Sequence, residues 1–326
     1  MTDLELFLAI AFPALALLLL CGVGFWLALR YVFRRVFYSP PDHKEDLFGL
    51  FENKKFALRR DDLFPLMEEL LAYPCEEVKI KSHDGLTLYA RYYQVKEGAP
   101  VAIMCHGYRG SAIRDFCGGA RIVRSLEQNI LLIDQRAMGK SEGTTITFGI
   151  LERYDVLRWA NYITERFGKE TKIYLYGISM GGVTVLMCRS LPLPENVVGI
   201  FADCPYDTPT AIIERTVRGE GFPTKATMKL ISLSARLLGG FRLEDYDPIR
   251  AMQDEGHLPV YLVHGTGDNF IPSWMSENIH RAREGSHLLL VEGADHGMSY
   301  IQSPEEYLEF VRAFVREGEQ NVPANG

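Results

Sequence analysis

Four short runs, Val101–Met104, Ile130–Ile133, Val197–Ala202 and Val260–Val263, carry no charge at all. A strand with one wet face alternates apolar and polar residues. An unbroken apolar run of four to six residues is how a strand reads when both its faces are covered. Helical stretches are expected between these runs, near 115–127, over about 149–167, and from Ser179 to about 190. Buried strands alternating with helices imply a mostly parallel sheet flanked by helices, an α/β fold with right-handed crossovers. Before it, "VKIKS" and "LTLYARYYQ" read as a hairpin turning at Asp84-Gly85. After it come a helix near 273–283, the strand in "HLLLVEGADH" (287–296) and a closing helix over about 304–316. Residues 206–257 exceed what one crossover needs and hold apolar helical stretches split by "EGFP". Part of this interval is expected to form a small helical cap with the substrate pocket beneath it.

The N-terminus is a different material. Leu6 to Leu29, "LFLAIAFPALALLLLCGVGFWLAL", is uncharged. It is long enough for a bilayer core that needs roughly 20 apolar residues, and Pro13 and the glycines are tolerated in such helices. A cleaved signal peptide would carry a basic leader, where this chain has Asp3 and Glu5. Arg30, Arg34 and Arg35 follow the span and no Lys or Arg precedes it, so the positive-inside rule puts the C-terminal side in the cytoplasm. The expectation is a single-pass cell-membrane protein with a cytoplasmic catalytic domain. Residues 1–37 would be the anchor with its basic flank, 38–77 a juxtamembrane connector, 78–318 the catalytic domain with its cap within about 206–257, and 319–326 a tail. In the connector, Leu47, Leu50, Phe51 and Leu58 recur at helical spacing. They suit an amphipathic helix packed on the domain better than one lying in the lipid interface, since most such stripes face a core.

Of the 326 residues, 47% are apolar and 24% charged, with a net charge of −7. That balance fits a folded domain and speaks against a nucleic-acid partner. Six cysteines, at 21, 75, 105, 117, 188 and 204, form no CxxC pair. Neither a zinc site nor a disulfide framework is suggested, and reduced thiols in a reducing compartment are the simpler reading.

Ligands of open α/β sheets bind at the carboxyl ends of the strands. Those ends present His106-Gly107-Tyr108, Asp134, Ser179, Asp203, Asp268 and His296. Gly177-Ile178-Ser179-Met180-Gly181 fits G-x-S-x-G. On a sharp strand-to-helix turn the serine is strained and exposed, and only glycine fits two residues either side. A serine hydroxyl needs a base to attack at neutral pH. His296, in the loop after a strand, is the candidate. His280 and His287 read as structural, His106 as shaping its loop, and His43, His83 and His257 as turn or surface residues. Asp268, in "TGDNFIP", is the candidate acid, with Asp203 its rival, and Asp134 is expected to brace the loop "DQRAMGKSEG". The oxyanion hole needs two backbone N–H groups, expected from Met180 and from Tyr108. Arg109 and Arg114 in that loop read either as contacts to an anionic head group or as solvated residues.

Taken with "HGYRGS", "DQRAMGKSEG", "YGISMGG", "ADCPYD", "HGTGDNFIP" and "GADHG", the chain from about 78 to 316 resembles a serine hydrolase of the α/β-hydrolase superfamily. It is similar to the bacterial membrane-anchored members related to lysophospholipases and monoglyceride lipases. The resemblance implies Ser179, Asp268 and His296 as a catalytic triad. Members commonly have glycine where Ala137 stands. The implied activity is hydrolysis of carboxylic esters, lipid-like in view of the anchor, through an acyl-serine, with no metal or organic cofactor required. A peptidase or amidase with the same triad, and a non-catalytic membrane-tethered scaffold, are the alternatives.

Overall fold

The computed structural model describes residues 2–40, 60–254, 256 and 258–321. Leu47, Leu50, Phe51 and Leu58 of the connector, with His43 and His257, lie outside the described residues. The first element, α1 (Asp3–Val36), is one helix of 34 residues. The Thr2 hydroxyl accepts from the Glu5 amide and the Glu5 carboxylate accepts from the Thr2 amide, a capping box at the positive end of the helix dipole, while Arg34 and Arg35 sit at the negative end. At 1.5 Å per residue it spans about 51 Å. Uncharged from Leu6 to Leu29 and exposed over most of that run, it is long and apolar enough to cross a membrane. Only its last turns are covered, through Leu29, Phe33 and the following Phe37.

The domain is built on one sheet of eight strands among the described residues: β1 (Glu76–Lys81), β2 (Thr87–Tyr93), β3 (Val101–Cys105), β4 (Asn129–Asp134), β5 (Ile173–Ile178), β6 (Val197–Asp203), β7 (Val260–Gly265) and β8 (His287–Val291). Their order is β1-β2-β4-β3-β5-β6-β7-β8. The hairpin β1–β2 and the pair β2–β4 are antiparallel and the rest parallel. Successive side chains of the parallel strands divide between two cores. Met104, Tyr176 and Phe201 point to one face, and Ile103, Leu175 and Ile200 to the other. This is why those strands read as unbroken apolar runs.

The first face is covered by α2 (Arg60–Ala72), α3 (Ala112–Ser125) and α11 (Pro304–Gln320). Leu63, Leu66, Met67 and Leu70 of α2 belong to this core, so the end of the expected connector is part of the domain's packing. Helix α11 runs on to Gln320, past the expected end near 316. The second face takes α4 (Glu152–Phe167) and α5 (Met180–Met187), with Ile279 of α9 (Trp274–Arg281). A short α10 (Ser299–Gln302) precedes α11.

Residues 206–257 form α6 (Pro209–Gly219), α7 (Thr224–Ser234), a π turn at Ala235–Gly239, and α8 (Pro248–Gln253). Among the described residues, none of them lines the cavity at Ser179, although α6 borders a separate cleft with Asn269, Phe270 and Trp274. Their apolar faces, including Ile212, Ile213, Ile231 and Phe241, close instead on Phe33 and Phe37 at the end of α1 and on Met180 and Val183 of α5. Periodicity shows that these helices bury one face, and the end of α1 is what they bury it against.

Candidate active site

Parallel register brings the strand ends onto one edge. Cys105 is opposite Gly177, Gly177 opposite Ala202, and Asp203 opposite Val263. The chain leaves β5 into a turn where Ser179 takes φ 56°, ψ −121°, then enters α5 at Met180. A side chain on Gly177 would collide with the Gly181 backbone, and one on Gly181 with the Cys105 carbonyl. The strain of positive φ at serine is held in place partly by the Ser179 amide, which donates to the Asp203 carbonyl at 2.8 Å. Met180 is the first residue of its helix, so its N–H has no intrahelical acceptor.

His296 Nε2 lies 3.1 Å from Ser179 Oγ. Its Nδ1 lies 2.6 Å from Asp268 Oδ2. The other carboxylate oxygen, Oδ1, accepts from the Phe270 and Ile271 amides at 2.9 and 2.8 Å. Burial works to raise the Asp268 pKa. The hydrogen bonds from His264 and His296, the charge of His296 and the Ile271 amide outweigh it and hold the carboxyl well below the usual range. Asp268 is therefore a fixed anion behind the imidazole.

Two neighbours of this chain were not singled out from sequence. His264, at the end of β7, is wholly buried. Its Nε2 lies 2.7 Å from the Ile271 carbonyl and 3.4 Å from Asp268 Oδ2, and its Nδ1 2.6 Å from Ser276 Oγ. A carbonyl can only accept, so Nε2 carries the proton, and the ring pins both ends of the loop around Asp268. Cys204, at φ 44°, places Sγ 4.0 Å from His296 Nε2. The available signal was a polar residue closing an apolar strand, as in "VYLVHG" and "IFADC".

Asp203 is buried at the end of β6, where its Oδ2 accepts from the Tyr307 hydroxyl at 3.0 Å. Burial lifts its pKa to about 6, against the lowering effect of that hydrogen bond and of His264 and His296. It is Asp268, not Asp203, that bonds His296. Asp134 accepts from the Lys140 amide at 2.9 Å within its own loop, and Ala137 takes φ 62° there, the left-handed conformation that glycine adopts freely. His106 places Nδ1 2.9 Å from the Gly107 carbonyl and accepts from the Gln135 amide at 3.1 Å. It joins the loop after β3 to the loop after β4. His83 is exposed and packs at a tilt against Tyr154. His280 bonds Ser286, and His287 packs on Tyr261.

The loop after β3 turns through Gly107–Gly110, closed by the Gly110 amide donating to the Gly107 carbonyl at 3.0 Å. Tyr108 and Arg109 are its central residues, so that bond uses neither of their N–H groups. Gly107 sits against the serine: a Cβ there would lie 3.4 Å from Ser179 Cβ. Arg109 is not a free cation. Its Nη2 donates to the Arg35 and Tyr38 carbonyls at 3.1 and 3.0 Å. Arg114 pairs with Asp115 at 2.9 Å.

A cavity of about 520 Å³ opens at Ser179 and His296. That is within the size of ordinary ligand pockets, roughly 300–1,000 Å³. It runs between the sheet and helices α3 and α11, past Met104, Tyr176, Phe201, Phe116, Ile122 and Val311. Among the described residues, none from 206–257 lines it, so the cavity at Ser179 does not lie under the expected cap.

A sequence model described as the alpha/beta hydrolase family matches residues 102–310. The uncharacterized protein YqkD of Bacillus subtilis is 26% identical over 215 residues, which cover 65% of this chain and 70% of YqkD. The uncharacterized protein YfhR of Escherichia coli K12 is 25% identical over 170 residues, 52% of this chain and 53% of YfhR. The solved structure of the esterase Pf2001 of Pyrococcus furiosus superposes with a TM-score of 0.60 at 20% identity, over 76% of this chain and 94% of that one. Est1E of Butyrivibrio proteoclasticus, solved with ferulic acid bound, gives 0.58 at 20%, over 74% and 99%. Identities this low carry the fold alone.

Proposed function

This chain belongs to the alpha/beta hydrolase family, and from that premise we propose that it is a serine hydrolase of carboxylic esters working through an acyl-serine. The observation that carries the reading is the relay of Ser179, His296 and Asp268, with contacts of 3.1 and 2.6 Å, at the mouth of an apolar cavity. His296 Nε2 takes the Ser179 proton as Oγ attacks the ester carbonyl. Asp268 holds the imidazole in place and stabilises its charged form. The Met180 and Tyr108 amides receive the oxyanion. His296 then protonates the departing alcohol, takes a proton from water, and the hydroxide so formed releases the acid and restores Ser179.

The acyl group is assigned to the cavity between the sheet, α3 and α11, whose aromatic and aliphatic walls favour a lipid-like chain. With α1 as a membrane anchor and the domain on its basic, cytoplasmic side, the substrate class is a small or lipid ester met at the inner membrane surface. Ser179→Ala in the full chain should abolish both ester hydrolysis and labelling by a fluorophosphonate. Full hydrolysis by that variant would end the proposal. Faster turnover of a matched amide than of its ester would replace it with an amidase.

A further inference from the structure

We propose that the end of α1 is a working part of the active site, holding the turn that presents the Tyr108 amide, with Arg109 and Phe37 as positioning residues. The inference rests on the serine-hydrolase reading above.

A helix leaves its last carbonyls without intrahelical partners. At the end of α1 the catalytic domain supplies them. The Val36 carbonyl accepts from the Tyr108 hydroxyl at 2.8 Å, and the Phe37 carbonyl from the Ile146 amide at 2.8 Å. The Arg35 and Tyr38 carbonyls share the Arg109 guanidinium. A cation is the favoured group at this negative end of the helix dipole. Tyr38 forms a β-bridge to Thr145, and the Ser39 amide donates to the Thr144 carbonyl at 2.9 Å. The chain therefore leaves the helix already stitched to the domain.

The same contacts fix the turn beside Ser179. Arg109 holds φ 49°, a conformation that a non-glycine residue keeps only when its surroundings over-determine it. Its guanidinium, anchored on two carbonyls of the α1 end, also lies over the Tyr108 ring, 5.0 Å from its centre. The Tyr108 ring stacks on Phe148 at 5.1 Å, Phe148 meets Phe37 edge-on at 5.9 Å, and Phe37 meets Phe33 and Phe241 at 5.7 and 5.3 Å. Phe37 is wholly buried. A helix serving only as a tether would need none of these contacts. An oxyanion donor, in contrast, must be placed to within a fraction of an ångström, and one misplaced by about 1 Å can cost about 100-fold in rate.

The test uses the full chain in detergent, with Arg109→Ala, Arg109→Lys, Tyr108→Phe and Phe37→Ala. The readouts are kcat and KM for a p-nitrophenyl ester, the affinity of a trifluoromethyl ketone, and Tm. The ketone's adduct with serine carries the oxyanion, so its affinity reports on the hole itself. Arg109→Ala and Tyr108→Phe should keep Tm within a few degrees, because the lost bonds are at the surface or partly so. They should lower kcat about 10- to 100-fold, with KM within about threefold and ketone affinity falling alongside kcat. Arg109→Lys should recover part of the loss, since one ammonium reaches one carbonyl well but not two. Phe37→Ala, if folded, should behave like Arg109→Ala. Wild-type kcat and ketone affinity in folded Arg109→Ala and Tyr108→Phe would overturn the proposal, as would a change confined to KM. If the unaltered chain neither hydrolyses esters nor labels at Ser179, the hydrolase reading falls and takes this one with it.

Discussion

Two apolar assemblies flank the elbow at Ser179, and one is hollow where the other is filled. On the α3 and α11 side, Met104, Tyr176 and Phe201 look across about 520 Å³ of open space. On the other side of the elbow, Phe33, Phe37, Phe148 and Phe241 mesh with the helices of 206–257 around the α1 end. Both are rich in aromatic and branched residues, so composition does not separate them. What separates them is whether the chain brings its own segment to fill the space. The substrate would occupy the side that the chain leaves open, and the end of α1 takes the other.

The largest effects should come from the relay between the two sides. Asp268→Asn should lower kcat by about 10⁴, because the amide disturbs the tautomer that the carboxylate fixes, whereas Asp203→Asn should leave kcat within about threefold. A similar loss in both would mean that the acid role is shared. On the filled side, Phe241→Ala should lower unfolding stability by about 3–5 kcal/mol without altering the ratio of rates on long-chain and short-chain esters. A shift in that ratio would show that substrate reaches the filled side after all.

Next in size is a pH-dependent effect at the junction. The Asp203 carboxyl titrates at about 6 in the folded chain against an ordinary 3.8, because burial disfavours its anion. Between those values the folded state holds a proton that the unfolded state has lost. Stability therefore falls as pH rises through that window and stays lower above it. The loss is roughly 3 kcal/mol. Asp203→Asn keeps an acceptor for Tyr307 and removes the charge. It should raise Tm at pH 8 and change it little at pH 4. Equal changes at both would show that the anion is not what costs stability.

The sheet and the three relay residues were legible because each rests on a local rule. Buried parallel strands are unbroken apolar runs, and Ser179, Asp268 and His296 each follow one. The filled side was not legible, because an apolar stripe such as that of α7 announces a buried face but not its partner, and the partner here, Phe33 and Phe37, lies almost 200 residues earlier. Arg109 failed for the same reason. A charge on a glycine-flanked turn reads as solvated or as ready for a head group, until the Arg35 and Tyr38 carbonyls are seen beside it. His264 was hidden by its setting, since "VYLVHG" reads as a strand end and nothing local says that Ile271 and Ser276 fold back to its two nitrogens.

The smallest expected effect tests the hollow side directly. Ile122 is buried on α3 and lines the cavity. Ile122→Trp adds bulk where the structure has space, so the usual cost of overpacking, about 1–3 kcal/mol, should be reduced. The added ring should shorten the room for an acyl chain while leaving Ser179, His296 and Asp268 untouched. Relative to p-nitrophenyl acetate, kcat/KM for p-nitrophenyl dodecanoate should fall about tenfold, the discrimination that a few contacts in an apolar pocket supply. The acetate rate itself should stay within about twofold. If both esters slow equally, the ring has disturbed the relay. If neither slows, the acyl chain lies elsewhere, and the open cavity beside the elbow is not where the substrate binds.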